Sequence, residues 1–240
     1  MTELIYQTNS YTREFDAVVT AVDPAARTVM LDRTAFYPGG GGQPNDTGEL
    51  VVGDRHLPVI KVDRGNLHIL GGEDLASVGD IVVGHLNWDR RFQLMRTHTA
   101  MHILCGVVWR DYGASVTGGN IEPLEGRMDF EFERLQKELV QEIEDKINLE
   151  VQAARDVRVK ILPRDEAFKI PDLIRTKINL LPEGILEVRT VEIVGLDLQA
   201  DGGTHVANTR EVGHIRVTDY KSKGGINKRL YVRIEDAAQP

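Results

Sequence analysis

The sequence contains a pair of histidines that could do chemistry, His98 and His102, four residues apart in the apolar run RTHTAMHILCGVVW. Side chains at this interval lie on one face of a helix, so their two imidazoles can bind the same metal ion. Taken alone, such a pair is more often an ordinary core or surface pair than a pair of ligands. Thr99 stands where the zinc peptidase signature has a glutamate, which disfavours that class of enzyme.

A second pair at the same interval, Asp201 and His205, occurs about a hundred residues later in LDLQADGGTHVANTREVG. The glycines between them allow the backbone to approach a ligand closely. Together the two pairs supply three imidazole nitrogens and one carboxylate oxygen, a tetrahedral ligand set. Two such pairs in a chain of seven histidines favour a metal site. The other histidines have no partner at this spacing and are interpreted as ordinary surface or core residues: His56, His68, His85 and His214.

Cysteine contributes little to this picture, because Cys105 is the only one in the sequence. A single cysteine excludes an internal disulfide and a multi-cysteine zinc site. Cys105 could share the helical face of His102, but its simpler interpretation is a small buried hydrophobic residue. A metal ion would therefore depend on histidine and carboxylate ligands.

The elements that must position these residues fall into two parts. Residues 1–86 contain short alternating segments such as EFDAVVTAVD and RTVMLD, separated by turns and glycine-rich breaks. This pattern predicts a small β-barrel domain.

From residue 87 onward the pattern predicts an α+β domain over 87–240. One helix begins at Asn87 or Asp89 and ends at Gly113, and a second runs from about Glu133 to Ala154 with apolar residues at every fourth position. Four later segments are typical of strands: VRVKIL, LEVRTVEIVG, EVGHIRVTDYKSKG and KRLYVRIED. We therefore expect long helices packed on an antiparallel sheet.

Charge limits the class of partner. The formal net charge of −8 argues against a protein that coats nucleic acid nonspecifically, because phosphate binding depends on Lys and Arg. A local basic segment, KSKGGINKRLYVR, could still bind, although a solvated hairpin is its simpler interpretation. The sequence has no apolar run long enough to span a membrane and no signal peptide at its start, so a cytoplasmic location is expected.

Four segments of the chain resemble one known family. RTHTAMH and DGGTH look like the paired metal motifs of the editing domain of alanyl-tRNA synthetases and of the free-standing AlaX trans-editing proteins. FYPGGGGQPNDTG is similar to the GGQ-containing loop of the β-barrel domain that precedes that editing domain, and KSKGGINKRLYV resembles a segment near its end. The resemblance implies a longer AlaX protein, with a barrel domain at 1–86 and an editing domain at 87–240.

The resemblance also implies an activity, which is hydrolysis of the ester that joins a wrong amino acid, serine or sometimes glycine, to tRNA(Ala). Zinc held by His98, His102, Asp201 and His205 would activate water and polarise the carbonyl, or it would only position the substrate and the terminal adenosine. The second motif of the family usually opens with cysteine, where this chain has Asp201. Aspartate can ligate zinc at about 2.0–2.2 Å, or it could hold a metal-bound water or not ligate at all.

The resemblance further points to residues that contact the substrate. Discrimination of serine from alanine requires a hydrogen bond to the serine hydroxyl. Thr117 is the first candidate for it and Thr99 and Thr204 are weaker ones, although each threonine could simply bond to the backbone. In the glycine-rich loop, Gly41, Gly42 and Gln43 could contact the tRNA end, or the loop could be a mobile turn. The candidate tRNA-binding residues in the basic segment are Lys221, Lys223, Lys228 and Arg229.

Two other classes of function stay open at this point. Asp201 in place of cysteine is compatible with a metal-free module that binds tRNA or a synthetase. The ligand set is also compatible with a metal-dependent hydrolase of another small ester or amide.

Overall fold

The structure is a computed structural model that describes residues 2–133, 135–174 and 184–236. The chain divides after Gln93 into two compact units. Both strands and helices are present, which confirms the mixed α and β class. The strands of the first unit are β1 (Glu3–Leu4), β2 (Glu14–Asp23), β3 (Thr28–Leu31), β4 (Arg33–Thr34), β5 (Gly48–Val52), β6 (Arg55–Asp63), β7 (Leu67–Leu70) and β8 (Ile81–Leu86).

The boundary between the two units falls within the long helix α1 (Trp88–Tyr112). The remaining elements of the second unit follow this helix in the chain. The strands are β9 (Val116–Glu122), β10 (Glu125–Glu131), β11 (Val157–Pro163), β12 (Glu187–Ile193), β13 (Asp197–Ala200), β14 (His214–Ser222) and β15 (Asn227–Glu235). The other helices within the described residues are α2 (Lys137–Gln152), the short α3 (Arg164–Ala167) and the 3-10 segments Ile5–Gln7 and Thr209–Val212.

Six strands of the first unit form the predicted barrel, closed in the order β2-β3-β7-β6-β5-β8 with β8 pairing β2. Its strands alternate between inward and outward side chains. In β2, Phe15, Ala17 and Val19 are buried, whereas the residues before and between them are exposed. Closure leaves no unpaired edge among these strands, because each pairs with a neighbour on both sides.

A buried ion pair fixes the glycine-rich loop within the first unit. The Arg91 side chain is fully buried and donates to both carboxylate oxygens of Asp46, with Nε–O distances of 3.0 Å. The same carboxylate accepts a hydrogen bond from the backbone N–H of Tyr37 at 2.7 Å. The loop that contains the glycines is therefore closed at its base by a charge-assisted contact that sequence spacing does not reveal.

Helix α1 has the boundaries that its end signals predict. The Asn87 side chain accepts a hydrogen bond from the backbone N–H of Arg90 at 3.2 Å, so Asn87 is the N-cap. Gly113 follows the last helical residue with a φ of +62°, a conformation that suits glycine. In the second unit α1 is buried on most sides, which explains its apolar composition.

The second unit contains two antiparallel sheets, β14-β15-β10-β9 and β11-β12-β13. Helix α2 packs on the first sheet, where the Asn148 side chain bonds both the N–H and the C=O of Ile215 on β14 at 2.9 and 2.8 Å. The helix is shorter than the predicted 133–154, because Gln136 is extended and Ala154 has a φ of +51°.

The predicted strand segments after α2 are present as β11, β12, β14 and β15, but β9, β10 and β13 are not anticipated by the pattern. Glycines interrupt the alternation in β9 and β10. One of them is needed for packing, because a Cβ at Gly126 would lie 2.8 Å from the Met101 sulfur of α1. Among the described residues, no helix is long and apolar enough to cross a membrane.

Candidate metal centre

Three segments of the second unit bring the four predicted ligands together. His98 and His102 lie on α1, Asp201 directly follows β13, and His205 lies in the loop before the 3-10 segment Thr209–Val212. One donor atom from each residue lies within 4.8 Å of the others. The three histidines are no more than 7% exposed, and the Asp201 side chain is 12% exposed.

The imidazole Nε2 atoms converge on the Asp201 carboxylate. Nε2 of His98 and of His102 lie 3.4 and 4.0 Å from Oδ1, and Nε2 of His205 lies 3.0 Å from Oδ2. Ligand atoms of a tetrahedral zinc site with bonds near 2.1 Å are about 3.4 Å apart. The type and spacing of these four donors therefore fit a divalent metal ion.

At two of the four residues, His205 and Asp201, the electrostatics favour the protonation state that a metal ligand needs. Burial, reinforced by the charge of His98, holds the pKa of His205 well below its ordinary value, so this ring is neutral and keeps a lone pair. Burial alone would raise the pKa of Asp201, but the imidazoles of His98 and His205 outweigh it and hold this pKa well below the usual range. An ionised carboxylate and a neutral imidazole are the ligand forms.

A second carboxylate, Asp197, contacts His102 through Nδ1, the ring nitrogen that does not face Asp201. Its Oδ2 lies 3.0 Å from Nδ1 of His102 and also accepts a hydrogen bond from Nε2 of Gln199 at 2.6 Å. Burial would lower the pKa of His102, but the hydrogen bond and charge of Asp197 outweigh it and raise that pKa. Sequence reasoning missed Asp197, because the contact joins positions 95 residues apart.

The Asp201 side chain is held by its own neighbours. The backbone N–H of Gly203 donates to Oδ2 at 2.7 Å. Arg189, buried on β12, donates to the Asp201 carbonyl oxygen at 2.9 Å and places Nη1 3.7 Å from Oδ2. These contacts concentrate on Oδ2, while Oδ1 faces His98 and His102.

The threonines predicted to contact substrate occupy different surroundings. Thr99 and Thr204 are fully buried, and the Thr99 hydroxyl lies 3.2 Å from Nδ1 of His205. Thr117 on β9 is partly exposed and donates to the Asn227 side chain at 3.3 Å. The structure thus brings Thr99 to the candidate metal ligands and places Thr117 on the four-stranded sheet.

The glycine-rich loop lies in the first unit. Gly40 and Gln43 exchange two backbone hydrogen bonds of 2.9 Å, which makes Gly41 and Gly42 the central residues of a tight turn. Their φ values of +57° and +90° favour glycine. Gly41 and Gly42 are exposed, whereas the Gln43 residue is only 2% exposed.

The predicted basic residues form a hairpin in which a carboxylate offsets part of the charge. Asp129 on β10 pairs with Arg229 at 2.6 Å and with Lys223 at 3.4 Å. Lys228 is buried and donates to a backbone carbonyl at Gly225. Lys221 pairs with the exposed Asp219, which lies on the same strand, β14.

Comparisons with known proteins place these observations in a family. Residues 188–231 match the family described as threonyl and alanyl tRNA synthetase second additional domain, and residues 3–90 match class II (A) tRNA synthetases. The alanyl-tRNA editing protein AlaX-M of Saccharolobus solfataricus is 39% identical over 98% of this chain and 100% of its own length. This chain belongs to the AlaX-M family.

Two further relatives show which proteins the chain matches over their whole length and which only in part. The AlaX-M protein of Methanosarcina acetivorans is 37% identical over 98% of this chain and 100% of its own length. The alanine–tRNA ligase of Pyrococcus furiosus is 37% identical over 90% of this chain, which corresponds to 24% of the ligase. Of the four candidate ligands in this AlaX-M chain, Asp201 and His205 lie within the matched segment 188–231, and the two on α1 lie outside both matched segments.

Proposed function

We propose that this chain hydrolyses the ester bond of tRNA(Ala) that carries serine or glycine, and that it uses zinc held by His98, His102, Asp201 and His205. The convergence of these four buried donors within 4.8 Å of one another supports the proposal most strongly. Family membership supports the substrate, because the relatives that match over their whole length are named alanyl-tRNA editing proteins.

Each of these residues would have its own role in the reaction. The imidazoles of His98, His102 and His205 and the carboxylate of Asp201 would hold the ion. Oδ2 of Asp201 accepts a hydrogen bond from the Gly203 backbone N–H, and Oδ1 faces His98 and His102. A divalent ion at this position supplies a Lewis acid for ester hydrolysis. No cysteine, serine or lysine nucleophile is needed for such a reaction.

Recognition of the wrong amino acid requires a polar group that only serine satisfies. A buried hydroxyl or amide left unpaired by alanine penalises the cognate ester. We assign this role to Thr117, a partly exposed residue whose hydroxyl donates to the Asn227 side chain at 3.3 Å. Contacts to the tRNA are assigned to the basic hairpin, Lys221, Lys223, Lys228 and Arg229, and to Gly41, Gly42 and Gln43 in the loop of the first unit.

A deacylation assay tests the proposal. tRNA(Ala) charged with serine, glycine or alanine is incubated with the protein as purified, with a chelator, and with zinc added back. We expect rapid release of serine, slower release of glycine and little release of alanine, and we expect the chelator to abolish and zinc to restore activity. His205→Ala should lose most metal and most activity, since it removes one of four ligands.

Two results would contradict the proposal. Full activity in the chelator, or in a His205→Ala variant with no bound metal, would exclude the metal mechanism. Binding of tRNA without hydrolysis of any ester would indicate a binding module instead.

A further inference from the structure

Resting on the metal site of the proposed function, we propose that Asp197 and Thr99 are positioning residues that hold His102 and His205 by Nδ1, so that both rings present Nε2 to the ion. Neither residue is within the ligand set itself. Both contacts follow from the way α1, β13 and the loop of His205 pack together.

The contact of His102 is the stronger of the two. A carboxylate only accepts hydrogen bonds, so the 3.0 Å contact between Asp197 Oδ2 and Nδ1 places the ring proton on Nδ1. The lone pair of His102 then lies on Nε2, the atom that faces Asp201. The Asp197 side chain is fully buried, and Gln199 donates to the same oxygen, so the carboxylate has a fixed orientation.

A glycine in α1 makes this contact possible. Gly106 lies one helical turn after His102, and a Cβ there would come within 2.9 Å of the Leu196 side chain and 3.1 Å of the Asp197 Cβ. The absence of a side chain at Gly106 therefore lets the start of β13 approach the helix closely. A larger residue would move Asp197 away from His102.

Thr99 contacts Nδ1 of His205 in the same way that Asp197 contacts Nδ1 of His102. Its hydroxyl is fully buried, lies 3.2 Å from Nδ1 of His205 and accepts a hydrogen bond from the backbone N–H of Val206 at 3.2 Å. When Nε2 of His205 is a ligand, Nδ1 carries the ring proton and the Thr99 oxygen accepts it.

Such partners of metal-bound histidines typically contribute roughly 10–100-fold to metal affinity. Replacing Asp197 by alanine removes the acceptor, whereas asparagine keeps a neutral one. Replacing Thr99 by valine keeps the shape and removes the hydroxyl, whereas serine keeps it. The proposal therefore predicts a graded series at each position.

The test measures metal affinity directly, on metal-free full-length protein. Zn²⁺ and Co²⁺ are titrated in competition with a chromophoric chelator, and the visible spectrum of bound Co²⁺ reports ligand geometry. We expect Asp197→Ala and Thr99→Val to weaken both metals by roughly 10–100-fold, with Asp197→Asn intermediate and Thr99→Ser close to wild type. Glu150→Gln is the matched control, because Glu150 is a buried carboxylate of the same unit that pairs with Arg110 and Arg155.

The outcomes separate the two proposals. If the wild-type protein binds metal and folded Asp197→Ala and Thr99→Val bind it with wild-type affinity, the positioning roles are wrong and the metal site stands. Metal affinities that fall equally in Glu150→Gln, or only in proportion to a lowered Tm, would also overturn them. If the wild-type protein binds neither metal, the metal mechanism of the proposed function fails first.

Discussion

At the scale of single residues, the carboxylate of Asp201 distinguishes this centre. As a proposed ligand it would give a donor set of nitrogen and oxygen alone, and thiolates select zinc more strongly than carboxylates do. Its Oδ2 accepts a hydrogen bond from the Gly203 N–H, and its Oδ1 faces His98 and His102. The choice of donor at position 201 should therefore set both the affinity and the selectivity of the site.

Asp201→Cys should tighten Zn²⁺ binding and widen the preference for Zn²⁺ over Mn²⁺, each by roughly tenfold or more, because a thiolate is a softer donor. Competition titrations of the metal-free wild type and variant measure both quantities. Equal Zn²⁺ affinities for the two proteins would mean that Asp201 is not a ligand.

At the scale of elements, the barrel encloses a titratable group that the metal site does not use. His68 on β7 lies 2.9 Å from the Thr34 hydroxyl through Nε2 and 3.3 Å from the Val29 carbonyl oxygen through Nδ1. Burial lowers the pKa of His68 from 6.5 to about 4. The folded barrel therefore holds this histidine in its neutral form.

This burial predicts a pH dependence of stability. Between pH 6.5 and pH 4 the unfolded chain binds a proton at His68 that the folded chain does not, so the free energy of unfolding falls as the pH falls through this window. The loss from this group approaches about 3 kcal/mol at or below pH 4. Denaturant unfolding of wild type and His68→Asn at several pH values measures this loss. We expect the free energy of unfolding of the wild type to fall more than that of the variant between pH 6.5 and pH 4. An equal fall in the two proteins would contradict the prediction.

The basic hairpin formed by β14 and β15 presents its charges unequally. The side chains of Lys221 and Lys223 are 61% and 43% exposed although each pairs with a carboxylate, whereas the Arg229 side chain is 16% exposed and Lys228 is buried. Exposed cations can release counterions from a phosphate backbone, and buried ones cannot do so without rearrangement.

We therefore expect the double variant Lys221→Ala, Lys223→Ala to weaken tRNA binding and to reduce the slope of log K against log salt by about 1–2. The double variant Lys61→Ala, Arg64→Ala, which removes two exposed cations of the barrel, is the charge-matched control. Filter binding at several salt concentrations measures the slope. A slope unchanged by the double variant would place the tRNA contacts on another surface.

At the scale of the whole molecule, the net charge of −8 opposes a polyanionic substrate. Specific contacts with the tRNA must therefore supply the attraction, and we expect binding energy from such remote contacts to raise the rate at the reacting ester.

The ratio of kcat/KM for seryl-tRNA(Ala) to that for a small serine ester tests this use of the tRNA body. We expect the small ester to be hydrolysed at least roughly a hundredfold less efficiently. Similar values for the two substrates would instead identify a hydrolase of small esters.

The sequence by itself determined the side-chain types of the candidate ligands and the local geometry of one pair, because a four-residue interval on a helix places His98 and His102 on one face wherever that helix packs. It also predicted the barrel and both ends of α1, since alternation and capping residues act over a few positions. The resemblance to AlaX proteins came from the same local motifs.

Only the tertiary structure decided what surrounds those ligands. Asp197 reaches His102 because Gly106 lets β13 approach α1, and Thr99 reaches His205 across 106 positions of the chain. Asp129 contacts Arg229 because the two residues lie opposite each other on the paired strands β10 and β15. Such contacts depend on how elements pack, and a periodic pattern within one element carries no information about its neighbour.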